Sequence, residues 1–299
     1  MKYKPSNIVI GYGSAILSAA LFGSISTVAK PVLTSIDPIL LSSLVCLIAG
    51  LVFTPIARQT KFKRLSRKYY FLILATAVCG AAIAPVLFFL GLTQTTAADT
   101  SLLANGETVF SILFATLIFR ERLRPIGYIA VSVILFGVFI VTTNLEFDNS
   151  MFALDSGNLL IIGATALWGF DNNICLIITK QIEVSRLVQI RSLVGGSILF
   201  LTVIVFRLPF NIQWTQIPSV VILGVFGFAL SLFLYWHSIK RIGVVKASSI
   251  VSLSAAFGLI LAAIFLKETI SLYQVIAVAI MLLGIRLMYS REKKVEIRY

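Results

Sequence analysis

Among the few ionisable side chains within the long apolar stretches of this sequence, two acids and one base are best placed to lie deep in hydrocarbon: Glu107, Asp171 and Arg191. A charged side chain at the centre of a bilayer costs at least roughly 2.5–3.5 kcal/mol on insertion scales, so such residues usually face an interior cavity or a partner. A carboxylate in a cavity can bind a cation or exchange a proton, and a guanidinium can bind an anion or pair with a carboxylate. These three residues are therefore the first candidates for chemistry.

Asp171 belongs to a short polar run within an apolar segment, from Trp168 to Asn173. At about 100° per residue of a helix, Asp171, Asn172 and Asn173 spread over about 200° of the circumference, so at least one side chain faces a cavity. Trp168 offers an apolar wall with one hydrogen-bond donor. We predict that these four residues form a polar binding locus. The alternative is that the two asparagines only join helices by hydrogen bonds.

Glu107 follows a second polar residue, Asn105. We predict that both face the Asp171 run across a cavity, with Glu107 as a group that takes up and releases a proton; alternatively, Glu107 stays protonated and bonds a neighbouring helix. Arg191 has two readings of equal weight. It binds an anionic group of a substrate, or it pairs with Asp171, because an unpaired buried charge is far more costly than a paired one.

Other kinds of chemistry have little support in the sequence. Cys46, Cys79 and Cys175 lie far apart with no paired spacing, which indicates neither a disulfide framework nor a metal site, and His237 is the only histidine. There is no nucleophile and base set and no Walker-type glycine loop. We therefore expect no enzyme, no ATP-driven pump and no cofactor.

The elements that position these residues follow from composition. With 59% hydrophobic and 12% charged residues and a mean hydropathy of +1.00, most of the chain must lie in hydrocarbon. Apolar runs long enough to cross a bilayer predict an all-α membrane protein of ten transmembrane helices. They lie at about 9–29, 38–57, 69–92, 97–119, 125–143, 157–179, 186–206, 217–239, 244–266 and 270–289.

Charge placement predicts the orientation of these spans. With both termini in the cytoplasm, only Lys30, Arg207 and Lys267 of the 25 basic residues fall in outer segments, as the positive-inside rule requires. The net charge of +13 is spread over short segments between spans, so we expect contact with anionic membrane lipid and no nucleic-acid partner. We predict a multi-pass protein of the cell membrane.

The chain also repeats itself at an offset of about 147 residues. Residues 100–141 and 247–288 match, each with an apolar helix, a basic-acidic break and a second apolar helix; the breaks hold Arg120-Glu121 and Lys267-Glu268. Five spans in each copy would insert the copies in opposite directions. The sequence thus predicts two inverted five-helix repeats, residues 1–148 and 149–299.

These repeats resemble the ten-helix EamA-like branch of the drug/metabolite transporter superfamily. Ala20 to Gly23 in the first span correspond to Ala166 to Gly169 in the sixth, and the two breaks follow the fourth and ninth spans. The chain departs from a common family pattern, because Thr108 and Ala255 stand where many members have proline. The resemblance implies a transporter that exports or exchanges small molecules.

We therefore predict a secondary active transporter that moves a small polar metabolite by alternating access, with proton or exchange coupling through Glu107 or Asp171. A flippase for lipids or lipid-linked sugars is the alternative, and a channel is a weaker one because polarity is concentrated at a few positions. The sequence does not determine the oligomeric state. Its glycines in the seventh and eighth spans suit packing within one bundle as well as a dimer face.

Overall fold

The computed structural model describes residues 5–60, 65–119, 125–143 and 156–290, and the regular secondary structure within these ranges is helical. The α-helices are α1 Pro5–Val32, α2 Pro38–Arg58, α3 Arg67–Thr76, α4 Ala84–Gln94, α5 Ala97–Leu103, α6 Gly106–Phe119, α7 Pro125–Thr143, α8 Ser156–Ile178, α9 Val184–Val205, α10 Ile217–Ile222, α11 Ser231–Ile242, α12 Val244–Val251, α13 Ser254–Phe265 and α14 Leu272–Ser290.

Six continuous helices in the described ranges are long and apolar enough to cross a membrane. They are Ile8–Val32, Pro38–Arg58, Arg67–Gln94, Ser156–Ile178, Val184–Val205 and Trp214–Ile242. Shorter apolar helices lie at Pro125–Val141, Ser254–Phe265 and Leu272–Gly284. The outward surface is apolar, with Trp214 87% and Leu272 76% exposed, while many polar side chains are buried inside. This distribution suits a lipid environment, and the chain is a multi-pass membrane protein.

The fourth and ninth predicted spans are not continuous helices, which corrects that part of the sequence analysis. The first is divided into α5 and α6 by a turn at Ala104 and Asn105, and the second into α12 and α13 by a turn at Ser252 and Leu253. These two breaks fall at matching places of the repeat. A break in a membrane helix is tolerated where its freed backbone groups are buried in protein or line a cavity.

The breaks need no proline. Thr108 N donates to Asn105 O at 3.0 Å, and Ala255 N donates to Ser252 O at 3.3 Å, so each turn is closed by a tight bond to the residue three positions earlier. A proline at either position would lack this donor. Thr108 and Ala255 therefore contribute to the breaks through backbone hydrogen bonds.

Two wide helical turns also recur at the repeat offset. Ala77–Ile83 joins α3 to α4, and Leu223–Leu230 joins α10 to α11, both as π-helix. Gly80 and Gly227 occupy equivalent positions in the two segments. A π turn widens the helix locally and redirects its carbonyl groups, and such turns are often found at functional sites.

Close helix contacts follow the same symmetry. A Cβ atom added to Gly50 would lie 2.6 Å from Leu193 Cγ, and one added to Gly196 would lie 2.9 Å from Leu47 Cγ. Leu47 matches Leu193 and Gly50 matches Gly196 in the repeat. The α2–α9 contact therefore contains two equivalent glycine–leucine pairs, Gly50 with Leu193 and Gly196 with Leu47. Such reciprocal contacts are typical of a two-fold relationship, and glycine allows the helices to approach closely.

The α7 and α14 helices meet in the same reciprocal manner. A Cβ atom on Gly137 would lie 2.6 Å from Met281 Cγ, and one on Gly284 would lie 2.7 Å from Ile134 Cγ1. Gly137 and Gly284 are equivalent in the repeat. The α2–α9 and α7–α14 pairs are thus two places where matching residues of the two copies contact each other reciprocally. The first predicted basic-acidic break, at 120–122, lies outside the described residues.

Candidate functional site

Asp171 and Arg191 form a buried ion pair between α8 and α9. Arg191 Nη2 donates to Asp171 Oδ2 at 2.6 Å and Arg191 Nε donates to Oδ1 at 3.3 Å, while each residue is 1% exposed. The guanidinium also lies over the Trp236 ring, 5.2 Å from its centroid. Both charges are therefore largely engaged with each other and with protein groups.

Gly80 leaves the space that this ion pair occupies. A Cβ atom at that position would overlap the Asp171 carboxylate and Arg191 Nη2. The Gly80 carbonyl accepts a hydrogen bond from Trp168 Nε1 at 3.1 Å. Gly80 lies in the π segment between α3 and α4. This wide turn directs the Gly80 carbonyl toward Trp168 on α8, and the missing Gly80 side chain leaves room for Asp171 on α8 and Arg191 on α9.

Glu107 and Asn172 join α6 to α8 beside the ion pair. Asn172 Nδ2 donates to Glu107 Oε1 at 2.6 Å, and Asn172 Oδ1 accepts from Trp236 Nε1 at 3.2 Å. Asn172 Nδ2 also approaches Ser111 Oγ at 3.3 Å. The asparagine is thus held in one orientation by groups on α6 and α11, and one of its bonds fixes the Glu107 carboxylate.

Asn173 faces a helix contact. Its Nδ2 donates to Ser111 O and to Gly169 O, both at 2.9 Å. Asn173 is 1% exposed and is absent from the linings of the two cavities described next. The structure thus gives Asn173 the geometry of the helix-joining alternative, whereas Asn172 contacts Glu107.

Two adjoining internal cavities contain the other predicted site residues. The larger, of about 30 Å³, is lined in part by Asn105, Glu107 and Trp168. The smaller, of about 10 Å³, is lined in part by Glu107, Trp168, Asp171, Asn172 and Arg191. The structure therefore brings six of the seven candidates together around shared space. That space holds only water-sized molecules, so this conformation is closed around its centre.

Three aromatic side chains that were not predicted from the sequence, Phe22, Phe88 and Tyr235, form walls of the larger cavity together with the predicted Trp168. Phe22 and Tyr235 lie edge to face with ring centroids 6.3 Å apart, and Phe88 and Trp168 lie 5.2 Å apart. All four line the cavity. Phe22 matches Trp168, and Phe88 matches Tyr235, in the repeat. This correspondence is the sequence signal that could have found them.

Hydroxyl groups around the larger cavity are bonded in pairs. The pairs are Ser26 with Ser101 at 2.5 Å, Thr108 with Ser252 at 2.7 Å and Tyr235 with Ser248 at 2.7 Å. Thr108 and Ser252 belong to opposite copies of the repeat and lie beside the two helix breaks. The breaks of the two copies are therefore joined by a hydrogen bond next to the cavity.

A second polar group, which the sequence analysis largely missed, lies where α4 ends and α5 begins. Both Glu268 carboxylate oxygens accept backbone hydrogen bonds, from Ala97 N and Ala98 N, each at 3.0 Å. Lys30 Nζ donates to Leu92 O at 2.6 Å and Thr95 O at 2.5 Å. An anion thus caps the N-terminus of α5 and a cation caps the C-terminus of α4, each with the favourable sign for the helix dipole.

Asp99 completes this end of the bundle. Its carboxylate accepts from Gln274 Nε2 at 2.8 Å, from Thr96 Oγ1 at 2.8 Å and from Tyr273 OH at 3.3 Å. Asp99 lies on α5, while Tyr273 and Gln274 lie on α14. Glu268 and Asp99 therefore both attach α5 to the second copy of the repeat. We name Lys30, Asp99 and Glu268 the α5 clamp.

The described ranges contain no group of three or more His, Cys, Asp or Glu side chains placed to hold a metal ion. His237 stacks on Phe233 with centroids 5.4 Å apart, away from both cavities. The three cysteines are unpaired thiols. The central site therefore contains the Glu107 carboxylate, the Asp171–Arg191 ion pair, and amide, hydroxyl and aromatic groups.

Comparisons with known proteins agree with this architecture. An uncharacterized transporter of Methanothermobacter thermautotrophicus is 29% identical, covering 95% of this chain and 87% of the relative. Another, of Clostridium kluyveri, is 25% identical, covering 93% of each. A solved crystal structure shares the fold at 18% identity, with a TM-score of 0.70 over 96% of this chain and 97% of that chain. The EamA-like transporter family model matches residues 9–143 and again residues 155–290, so this chain belongs to the EamA-like transporter family.

Proposed function

We propose that this protein is a secondary active transporter that moves a small polar metabolite across the cell membrane by alternating access. The observation that carries the proposal is a small internal cavity at the contact of two related helical halves, lined by the Glu107 carboxylate, which forms no ion pair with the basic side chains that the structure describes. A binding site between repeats is the usual arrangement in such transporters. The substrate would enter when the halves rock apart on one side.

The halves in this proposal are residues 1–148 and 149–299, each with five spans. The pairs α5–α6 and α12–α13 would each form one broken span, and α7 and α14 would be the fifth and tenth. The reciprocal α2–α9 and α7–α14 contacts support a two-fold axis between the halves. An odd number of spans in each half makes the repeats inverted, with the axis in the membrane plane.

We place both termini in the cytoplasm, by the positive-inside rule. In this orientation the α5 clamp lies at the outer end of the bundle, and the conformation described here is closed to the outside. Opening outward would then require Glu268 to leave the N-terminus of α5. The resemblance to exporters and exchangers favours movement of the substrate out of the cell.

Glu107 is the residue that we propose couples transport to protons. Asp171 is neutralised by Arg191, which reduces its availability as a proton carrier and reduces that of Arg191 as an anion ligand. Together Glu107, Asp171 and Arg191 carry a net charge of −1 when all are ionised. A buried uncompensated charge is costly, so a proton or a positively charged group on Glu107 favours the closed state.

The test is transport by purified protein in vesicles that enclose a pH-sensitive dye. Amino acids, sugars, amines and nucleosides are added outside in turn, and proton movement and solute uptake are both recorded. We expect one solute class to be taken up with an opposite movement of protons. Glu107→Gln should abolish the proton movement, because an amide cannot release a proton at neutral pH.

Two results would contradict the proposal. Uptake of no solute, together with faster exchange of fluorescent lipids between leaflets, would assign the protein to the flippase alternative. Solute flux that rises linearly with concentration and does not saturate would indicate a channel. Glu183→Gln is the matched control, since Glu183 is an exposed carboxylate distant from the cavity linings.

A further inference from the structure

The larger cavity offers aromatic rings whose polar atoms are already used by the protein. Tyr235 OH is bonded to Ser248 Oγ at 2.7 Å, and Trp168 Nε1 donates to Gly80 O at 3.1 Å. Phe22 and Phe88 have no polar atoms. A ligand in this cavity would therefore meet the four side chains as π systems rather than as hydrogen-bonding groups.

The free polar atoms of the cavity are mainly acceptors. Glu107 Oε1 accepts a hydrogen bond from Asn172, and the ion pairs of the described residues leave the Glu107 carboxylate without a basic partner. Asn105 is 2% exposed and its Oδ1 is buried with no donor among the described residues. The hydroxyls of Ser26 and Ser101 are bonded to each other, as are those of Thr108 and Ser252. Ser254 supplies a further hydroxyl to the lining.

The charge of the site has the matching sign. Glu107 is the single ionisable carboxylate in the lining of the larger cavity, where the described residues include no lysine or arginine. The nearby Arg191 borders only the smaller cavity and is bonded to Asp171 through two nitrogens. An anionic ligand would therefore meet an unneutralised carboxylate and would find its possible partner already occupied.

We infer that the substrate of this site is an organic cation, a protonated or quaternary amine with an apolar body, bound by the Glu107 carboxylate between the Phe22–Tyr235 and Phe88–Trp168 pairs. A cation over aromatic faces is attracted by the ring quadrupole, and the attraction grows when the site excludes water. The Asn105 amide oxygen accepts a hydrogen bond where the amine carries one. This inference rests on the proposed function, because the cavity must widen to admit such a molecule.

The two halves contribute unequally to this recognition. Each copy supplies an equivalent pair of aromatic positions, but Glu107 has Ser254 as its counterpart, and Asp171 has Ile25. One side of the cavity therefore carries the charge and the other side mainly hydroxyl and apolar groups. An amine with its ammonium at one end and its apolar part at the other matches this asymmetry.

The test measures thermal stabilisation and calorimetric binding of the full-length protein in detergent. The probes are tetramethylammonium and benzyltrimethylammonium as cations, benzamide as a neutral compound and benzoate as an anion. We expect saturable stabilisation by at least one cation and none by benzamide or benzoate. Glu107→Gln and Phe88→Leu should each weaken cation binding by about tenfold or more, the loss expected for a desolvated cation contact.

Phe71→Leu is the matched control for Phe88→Leu, because Phe71 is 71% exposed on α3 and lines neither cavity; its cation affinity should stay within about threefold of the native value. Variants are compared only if they unfold cooperatively without ligand. If Glu107→Gln does not, Glu107→Asp takes its place. That variant keeps the carboxylate, so we expect its cation binding to be weaker than native but retained. Three results would overturn the inference: stabilisation by benzoate or benzamide instead of a cation, stabilisation by no probe, or cation binding at native affinity in both Glu107→Gln and Phe88→Leu.

The two proposals fail separately. If native protein transports another solute in vesicles but binds neither cation, the cation inference is wrong and the transport proposal stands. If the cations bind as expected but no amine crosses the vesicle membrane, the site is a cation site and the transport proposal is wrong.

Discussion

Arg191 donates to both carboxylate oxygens of Asp171, through Nη2 at 2.6 Å and Nε at 3.3 Å, in a site where each residue is 1% exposed. The pair therefore acts as one nearly neutral unit within the bundle. This arrangement leaves Glu107 as the central charge that changes with protonation or with a bound cation. It also makes the ion pair a sensitive element for stability, because either charge alone would be stranded in a low-dielectric interior.

Removing one member of the pair should destabilise the protein strongly. We expect Arg191→Met to lower the free energy of unfolding by about 3–5 kcal/mol, since Asp171 is left without its partner, and the double variant with Asp171→Leu to recover much of the loss. Thermal unfolding in detergent measures both. For comparison, Glu183→Gln breaks an exposed pair with Lys240, at 3.6 Å, and should change stability by less than about 1 kcal/mol. Equal losses in the single and double variants would contradict this account.

Gly80→Ala should disturb the ion pair although no charge is removed. The added methyl group would overlap both Asp171 and Arg191, and the backbone or the pair must shift. We expect a loss of about 1–3 kcal/mol, as for overpacking elsewhere in protein interiors. Gly13→Ala is the matched control, because no atom lies within 4 Å of its added Cβ and alanine favours a helix. Unfolding temperatures that fall equally in both variants would show that Gly80 has no special steric role.

Substitution of the neighbouring residues Asn172 and Asn173 should have different effects on ligand binding. Asn173→Ala removes hydrogen bonds to Ser111 O and Gly169 O, so we expect a stability loss of about 1 kcal/mol with unchanged affinity for a cation probe. Asn172→Ala frees the Glu107 carboxylate from its donor and should alter probe affinity as well. Binding calorimetry and thermal unfolding, run on both variants, distinguish these outcomes. A changed affinity in Asn173→Ala would place that residue in the binding site.

The Glu268 contact with α5 should control opening at the clamp end. Glu268→Gln removes the charge that favours the α5 N-terminus, so we expect the closed state to be weakened by about 1 kcal/mol. A Ser101→Cys label site, in protein with Cys46, Cys79 and Cys175 replaced by alanine, should then react faster with a maleimide. Lys267→Gln, in the same loop, should leave the rate unchanged. Equal rates in the two variants would exclude Glu268 as a closing contact.

Much of the site could be predicted because ionisable residues in apolar runs are conspicuous. Glu107, Asp171 and Arg191 stand out by the cost of burying charge, and the helical hairpin of α8 and α9 explains why Asp171 and Arg191 meet. The aromatic walls were missed for the opposite reason. Phe22 and Phe88 lie among many apolar residues, and membrane helices show no contrast between a lipid-facing and a cavity-facing phenylalanine.

The helix breaks and the α5 clamp were missed because they depend on tertiary partners. Ser252 and Leu253 have no glycine or proline to mark a turn, and the break is stabilised by backbone bonds and by the Thr108 hydroxyl across the repeat. Glu268 belongs to a segment whose sequence predicts only a polar loop between two spans. Its role follows from the position of the α5 N-terminus, 171 residues earlier, which no local pattern contains.

The break between α12 and α13 should tolerate proline, as the family pattern implies, although this chain lacks one. Ala255 N donates to Ser252 O at 3.3 Å rather than closing a regular helical turn, and Ala255 is the second residue of α13, where proline fits. We expect Ala255→Pro to reduce the free energy of unfolding by less than about 1.5 kcal/mol, the value of one net hydrogen bond. Ala262→Pro, in the interior of the same helix, should cost about 3 kcal/mol or more. Thermal unfolding of both variants measures the difference, and similar losses would mean that Ala255 behaves as an ordinary residue within a continuous helix.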